Sequence, residues 1–400
     1  MLFDLHIHSK YSRATGKDLD LKNLEKYAKI KGIDVLGTGD FTHPKWIEEI
    51  KNNLREDNGV LYSKTNFPFL LQTEISLMYS QGGKGRRVHN IILAPSLEVV
   101  KQISEALGKR GRLDYDGRPI FNISCIELVD MMRKISEDIE IIPGHVWTSW
   151  FGAFGSVTGF DSIEEAFGDN SKYIHAIETG LSSDPEMNWR LSKLDNINLV
   201  SFSDSHSFWP WRLGREATEF NVKLTYKAVL NAIRTGNGLI STIETPPQYG
   251  KYHWDGHRNC NIRIDPEKVK DKTCPVCGKQ LTIGVLRRVN ELADREYGFR
   301  PKNAKEFKRI IPLSEIISNV ISKGIATKGV WDIYNKLIQT FGTEMNILLN
   351  VSKDELLRVV DNKLVNAILL NREGKIEFSP GYDGEYGVPL FDKQKKLGEF

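Results

Sequence analysis

The pair His6-x-His8 opens the chemistry of this chain. In a β-strand alternate side chains share a face, so the two imidazoles point the same way while Leu5 and Ile7 point into a core. Two imidazoles on one face can grip one ion, and the chain goes on supplying partners: Asp40, Glu74, His89, His145, then Asp204 and His206 at the same spacing as the first pair. Seven of the nine histidines lie before residue 207, as a cluster assembled from many strand ends requires. Mixed imidazole and carboxylate donors suit Zn²⁺, Mn²⁺ or Fe²⁺ better than Mg²⁺, which prefers oxygen alone but stays open. A carboxylate such as Glu74 can bridge two ions. Ions about 3.5–4 Å apart clamp the attacking and leaving oxygens of an in-line phosphoryl displacement. A bound water of lowered pKa completes the set, so the reaction class is phosphoester hydrolysis.

A second donor set is local. His257-x2-Cys260 and Cys274-x2-Cys277 offer four ligands in two close pairs, the spacing of a closed tetrahedral zinc site. His253 is the alternative to His257, with a poorer spacing to Cys260. No coordination position is left open, so this zinc is structural. The fourth cysteine, Cys125, opens an apolar helix and reads as a buried thiol.

The elements that must position these groups alternate over 1–245. Short β-rich runs at 33–37, 69–72, 89–93, 139–142, 173–178 and 197–202 are separated by helical patterns at 21–31, 125–137 and 223–235, which predicts a parallel α/β catalytic domain. Residues 246–290 change character: two prolines, a run of aromatics, then the Cys/His spacing of a zinc module. From 291 to 400 the pattern is helical. Leu313, Ile316, Ile317, Val320 and Ile321 form one stripe, Val330, Ile333, Leu337 and Phe341 another, and Ser352 with Glu355 reads as a capping box. The stripes are a packed helical core, with a helix-hairpin-helix-like contact to DNA over 351–370 as the further option.

Composition narrows the class. Four hundred residues, 40% hydrophobic, imply a globular chain of two or three domains. No run of about 18 apolar residues spans a membrane, the N-terminus lacks a secretory pattern, and four cysteines, three of them in one module, fit a reducing cytoplasm. A net charge of +3 neither demands nor excludes nucleic acid, because a carboxylate-rich centre offsets a basic surface. Lys84, Arg86, Arg87 and Lys109, Arg110, Arg112 lie in Gly-punctuated runs between donor candidates, where solvated loops and phosphate contacts both stay open.

Six of the eight tryptophans fall between 147 and 254, close behind donors. Trp147, Trp150, Phe151 and Phe154 follow His145, and Trp209 and Trp211 follow His206. Such rings either wall a pocket for a flipped base or merely cap the mouth of the fold. The alternation through Tyr249, Lys251, Tyr252, His253 and Trp254 suits single-stranded or distorted nucleic acid.

The motifs DLHIHS, GTGDF (37–41), QTEIS (72–76), VHNIILA (88–94), PGH (143–145) and SFSDSH (201–206) resemble, in order, those of the polymerase and histidinol phosphatase (PHP) superfamily. IETPPQYGKYHWDGHRNC, CPVCGKQLTIGVLRRVNELADR and the helical end resemble the endonuclease Q family of DNA-repair nucleases. The resemblance implies a PHP-type distorted (β/α)7 barrel with a small zinc-binding module and a helical C-terminal DNA-binding domain. It implies up to three catalytic ions. In such barrels the site lies at the C-terminal ends of the strands, where Asp40, Glu74, His145, Asp204 and His206 all fall; His89, at the start of its run, fits less well. His6, His8, Glu74, Asp204 and His206 match the family's motifs directly, with His145 close behind, and these six are the expected catalytic set. Asp40 departs from the pattern, since Phe41 stands where the family shows histidine; Asp40 itself or His43 compensates, or one ion is held differently. Asp18 is the candidate for an early acid, at a longer spacing than usual. His175 reads as a packed strand histidine. The implied activity is cleavage 5′ to deaminated bases (uracil, hypoxanthine, xanthine) or abasic sites in DNA, with a sliding clamp as a further partner to consider. A small-molecule PHP phosphatase and a non-catalytic nucleic-acid-binding protein are the rivals. Some 150 residues beyond the barrel argue against the first, and the near-complete donor set against the second.

Overall fold

The structure is a computed structural model and describes residues 1–391. Leu2–Asp4, Val35–Gly37 and Pro68–Leu70 pair in parallel, with the helix Leu21–Lys31 crossing between the first two. Local residues set both ends of that helix. The Asp20 side chain accepts from Asn23 N, and Gly32 closes it at φ 94°, a left-handed value that glycine reaches without a Cβ clash. Leu21, Leu24 and Ala28 bury its inner face.

Around the first strand the sheet grows to eight. Ala217–Phe220 pairs with it antiparallel, Leu239–Glu244 follows, and Glu306–Arg309 adds a parallel edge. Gln72–Gln81 and Lys84–Leu93 form a long hairpin over Gly82-Gly83, widened to four strands by Ile120–Phe121 and Glu140–Pro143. Ala176–Glu178 pairs in parallel with Asn198–Val200. The mixed α/β class is thus the one expected, but the ladder runs as separate eight-, four- and two-stranded sheets rather than one parallel ring. Two physical causes stand out. The hairpin imposes antiparallel pairing, and the chain leaves its strands abruptly at Asp40, His145 and Asp204, whose φ values of 44°, 29° and 47° end regular pairing. The sheets share a core in which Ile7, Leu36, Trp46, Phe69, Phe121 and Phe160 are all buried.

The helices Cys125–Ile135 and Tyr226–Thr235 lie where the periodicity puts them, the first opened by a Ser124–Glu127 capping box and the second closed by Gly236 at φ 71°. The long C-terminal stretch is less purely helical than its pattern suggests. Residues 306–309 serve the large sheet, and Glu377–Ser379 pairs with Val388–Leu390. Between them lie Leu313–Val320, Lys328–Phe341, Glu344–Leu349, Lys353–Leu357 and Asn362–Arg372, with the Ser352–Glu355 box formed. These helices dock on the N-terminal half. Buried Lys31 reaches buried Glu344 at 2.6 Å, and Tyr334 donates to the same carboxylate at 2.8 Å. Breaking such a buried pair from one side leaves an uncompensated charge. Among the described residues no helix is long and apolar enough to cross a membrane.

Candidate metal centre

Strand ends deliver the donors. His6 and His8 follow Leu2–Asp4 and are fully buried, and the next turn of chain is bridged to the segment at 205 through Ile7 and Ser205. Glu74 lies near the start of the long hairpin strand, and His89 and His145 close on it from the partner strand and from the end of Glu140–Pro143. One ligand atom each from His6, His8, Glu74 and Asp204 falls within 4.8 Å of all the others, and Glu74, His89 and His145 form a second such group. Glu74 belongs to both. Its Oε2 lies 3.2 Å from His8 Nε2 and 3.6 Å from His6 Nε2, while its Oε1 lies 2.7 Å from His89 Nδ1 and 3.1 Å from His145 Nε2.

The other imidazole nitrogens are held from behind. His6 Nδ1 faces Glu178 at 2.9 Å, His8 Nδ1 faces Asp40 at 2.9 Å, and His145 Nδ1 meets Thr148 Oγ1 at 2.6 Å. Such outer partners fix ring orientation and tautomer, so Nε2 of all three rings points inward. His6 Nε2 is buried without a hydrogen-bond partner, which a cation would remedy. Burial would lower His6 and His8, but Glu178 about the first and Asp40 about the second raise both well above the usual imidazole range, so an ion that binds there displaces their protons. Burial alone would raise Glu74 and Asp204, yet His89, Arg118 and His6 hold Glu74, and His6, His8 and His206 hold Asp204, well below the carboxylate range. Burial pushes His89 down to about 4, which keeps that ring a neutral donor. Two mixed nitrogen–oxygen donor sets sharing one carboxylate have the chemistry to hold metal ions.

Not every sequence candidate enters these sets. Asp40 stands behind His8, and its oxygens are taken by that ring, by Ser9 N and Oγ at 2.6 and 2.7 Å, and by Ser12 Oγ at 2.9 Å. His206 packs its ring 4.2 Å from that of His8, beside the first set rather than in it. Asp18 is exposed on a loop and lies in neither set. His43 does not compensate for Phe41, since it stacks on Tyr11 at 4.4 Å and begins a helix. His175 pairs with buried Glu140 at 2.8 Å, as a packed histidine should.

Two residues escape the sequence reading. Glu178 accepts from the backbone N–H of His145 at 2.6 Å as well as facing His6; its place at the end of Ala176–Glu178 is the signal that strand-end logic offers. Arg118 donates to Glu74 Oε2 at 3.1 Å while about a quarter exposed. Its loop is pinned by Gly117, whose N–H donates to Tyr11 O at 3.0 Å and whose missing side chain leaves room for Asp40 Oδ2. No local spacing announces it.

The rings near the centre divide. Trp147 and Phe154 are buried, with Trp147 Nε1 donating to Asn188 at 2.8 Å, so these two serve the core. Phe151 covers His89 at 4.5 Å, and half-buried Trp150 meets Tyr252 edge-on at 5.4 Å. Trp209 stacks on Trp211 at 5.1 Å, and both pack against Trp331 of the C-terminal helices.

The second donor set forms as spaced. His257, Cys260, Cys274 and Cys277 bring their ligand atoms within 4.8 Å of one another, on the hairpin Asp255–His257/Ile262–Ile264 and a knuckle turned by Gly278 at φ 70°. His257 and not His253 completes it; His253 is buried away from the set, and burial lowers it to about 4.

Comparison with known proteins covers both halves. Residues 312–375 match the family described as MJ0043 C-terminal domain. The lesion-specific endonuclease PfuEndoQ from Pyrococcus furiosus superposes with a TM-score of 0.87 at 30% identity, over 100% of this chain and 97% of that one. An endonuclease Q complex with a 27-mer duplex bearing an abasic lesion at the active site gives 0.87 at 31% identity, over 98% of each chain. The uncharacterized protein MJ0043 of Methanocaldococcus jannaschii is 35% identical over 257 residues, 62% of this chain; the matched part is 32% of that protein, about a third of its length.

Proposed function

The chain belongs to the endonuclease Q family, and we propose that it is a metal-dependent DNA-repair endonuclease that hydrolyses the phosphodiester 5′ to a deaminated base or an abasic site. The observation that carries this reading is Glu74, shared between the His6–His8–Asp204 donors and the His89–His145 donors. Divalent ions held there would supply an activated water and positive charge for an in-line phosphoryl displacement. The chain's own residues do the rest. Glu178, Asp40 and Thr148 aim the imidazoles, and Arg118 holds a guanidinium at the mouth of the centre, beside Glu74. His206 lines the same mouth.

In this reading the strands and helices of 1–245 are the PHP-type barrel, to which Glu306–Arg309 adds an edge strand. Residues 246–290 hold a structural zinc, and the helical remainder grips DNA. In the same reading Trp150 and Trp209 would hold a duplex opened by base flipping. A sliding clamp remains a candidate partner, tested by co-elution. We place the enzyme in the cytoplasm on its free thiols.

The test is direct. End-labelled duplexes carrying uracil, hypoxanthine, an abasic site or no lesion are incubated with the protein and Mn²⁺ or Zn²⁺, and the cut is mapped. Nicking on the 5′ side of the lesions alone is the expected result. Turnover of a generic phosphomonoester without nicking would return the chain to the phosphatase reading.

A further inference from the structure

One basic cluster outside the metal centre is built from three separate segments. The loop 380–387 is laced to the connector 248–251: Gly381 N donates to Gln248 O at 2.9 Å, Gly384 N to Lys251 O at 3.0 Å and Gly387 N to Tyr249 O at 3.0 Å. A Cβ on Gly381 or Gly387 would collide with backbone carbonyls, so the approach needs glycine at both. This lacing presents Tyr386, 38% exposed, with Lys251 Nζ 4.6 Å and the Arg212 guanidinium 5.4 Å from its ring centroid. Neither cation makes an ion pair or hydrogen bond among the described residues.

Arg215 is the third cation. It is buried, its Nε and Nη2 donate to Ser203 O at 3.2 and 3.1 Å, and its Nη1 is buried without a hydrogen-bond partner. Burial raises the Tyr386 hydroxyl, but Arg212, Arg215 and Lys251 together hold it below the ordinary tyrosine value, so all three face it. Two buried acids, Glu216 and Glu315, share their field. Burial pushes Glu216 and Glu315 toward the neutral form, and Glu315 is further occupied by the Tyr249 hydroxyl. Arg215 thus adds its charge from beneath, through the Tyr386 hydroxyl that it faces.

We propose that Arg212, Arg215, Lys251 and Tyr386 form a phosphate subsite that holds a non-scissile phosphate of the DNA strand being cut. The inference rests on the nuclease reading above. A strand rather than a free anion is favoured by position: Arg215 grips Ser203, the residue before the donor Asp204, so subsite and centre share one segment. Tyr249 and Tyr386, with ring centroids 5.8 Å apart, add a surface beside which sugar or base can lie.

The experiment measures affinity of the full chain for a lesion-bearing duplex by fluorescence anisotropy across a salt series. Removing one cation–phosphate interaction lowers the slope of log K against log salt by about 0.7–0.9. Arg212→Gln and Lys251→Gln should each lower it by about that amount, while Lys101→Gln on a distant helix should not. Substrates with single methylphosphonate substitutions locate the phosphate: one position should weaken wild-type binding several-fold and the Arg212→Gln, Lys251→Gln double variant no further. Unchanged slopes, or interference at no single position, would overturn the subsite even if the wild-type protein nicks lesions normally. A wild-type protein that neither nicks nor binds DNA would overturn the reading beneath it instead.

Discussion

The two donor sets of this protein are made in opposite ways. The knuckle set comes from residues 257–277, on one hairpin and one turn, with Cys277 exposed. The Glu74 centre gathers residues 6 to 204 from several strands, and four of its six members are buried, with His145 and Asp204 half-buried. A local set needs only the right spacing, because a short loop can close around an ion and gain its folding energy from it. A dispersed set must be held in place by the fold before any ion arrives. Hence its imidazoles are backed by Glu178, Asp40 and Thr148, while the described structure shows no comparable layer of carboxylates behind the knuckle. The first is a clip and the second a preorganised site.

The hardest test of that contrast removes a donor from the dispersed set. Asp204→Ala or His8→Ala should cut single-turnover nicking by at least about 10³-fold, the several kcal/mol that ion-assisted phosphoryl transfer supplies. Circular dichroism should show the fold retained. Near-normal nicking by a folded variant would remove the centre from the chemistry.

The same contrast explains what is legible in advance. The His257–Cys277 spacing yields the whole knuckle, because all the information is local. For the dispersed set, residue types at strand ends point to His6, His8, Glu74, His145, Asp204 and His206, and the structure brings all but His206 into the two groups. Depth is not legible. Asp40 and Glu178 both end strands, yet sequence marks the first as a ligand and passes over the second, and both sit behind imidazoles. His89 looks misplaced only while its run is read as a parallel strand; in the antiparallel hairpin it lies across from Ser76 and beside Glu74. Asp18 and His43 become candidates by spacing alone, which says nothing of where a loop or a helix cap points. Of the fold, helix ends are clear from Gly32, Gly236 and the capping residues. The sheet partition and the edge strand at 306–309 depend on pairing at long range, which no local pattern records.

A graded version follows from depth. Asp40→Asn or Glu178→Gln should reduce activity or metal affinity about 10–100-fold, the usual cost of losing an outer partner that orients a ligand. Asp18→Asn should leave both unchanged. Metal content by elemental analysis, alongside rates at saturating metal, separates weaker loading from impaired chemistry. Equal losses for Asp40→Asn and Asp204→Ala would collapse the distinction between the layers.

For the clip the expected damage is to stability. Cys274→Ser should lower the melting temperature by several degrees and weaken DNA binding, with single-turnover rate at saturating protein little changed, because a closed site contributes folding free energy rather than chemistry. A collapsed rate with unchanged melting and affinity would make the knuckle part of the reaction.

The smallest effect concerns the carboxyls packed beneath the preorganised site. Glu244 is fully buried and is tied to the strand end at Glu178 through the next residue, Thr179, whose Oγ1 donates to it at 2.8 Å. Burial raises its carboxyl from 4.5 to about 8, against the hydrogen bonds of Thr242 and Thr179. The folded protein therefore keeps this proton after the unfolded chain has released it. Its contribution to stability is complete below about 4.5 and is lost progressively as pH climbs toward 8. Glu244→Gln keeps the shape and stays neutral at every pH, so it should match the wild type near pH 5 and melt higher than the wild type near pH 8. Melting curves at the two pH values decide the matter. The difference should survive Cys274→Ser, because the knuckle draws nothing from this layer. Parallel pH profiles for wild type and Glu244→Gln would mean that the carboxyl is ionised in the fold, and that the support under the centre carries charge rather than a proton.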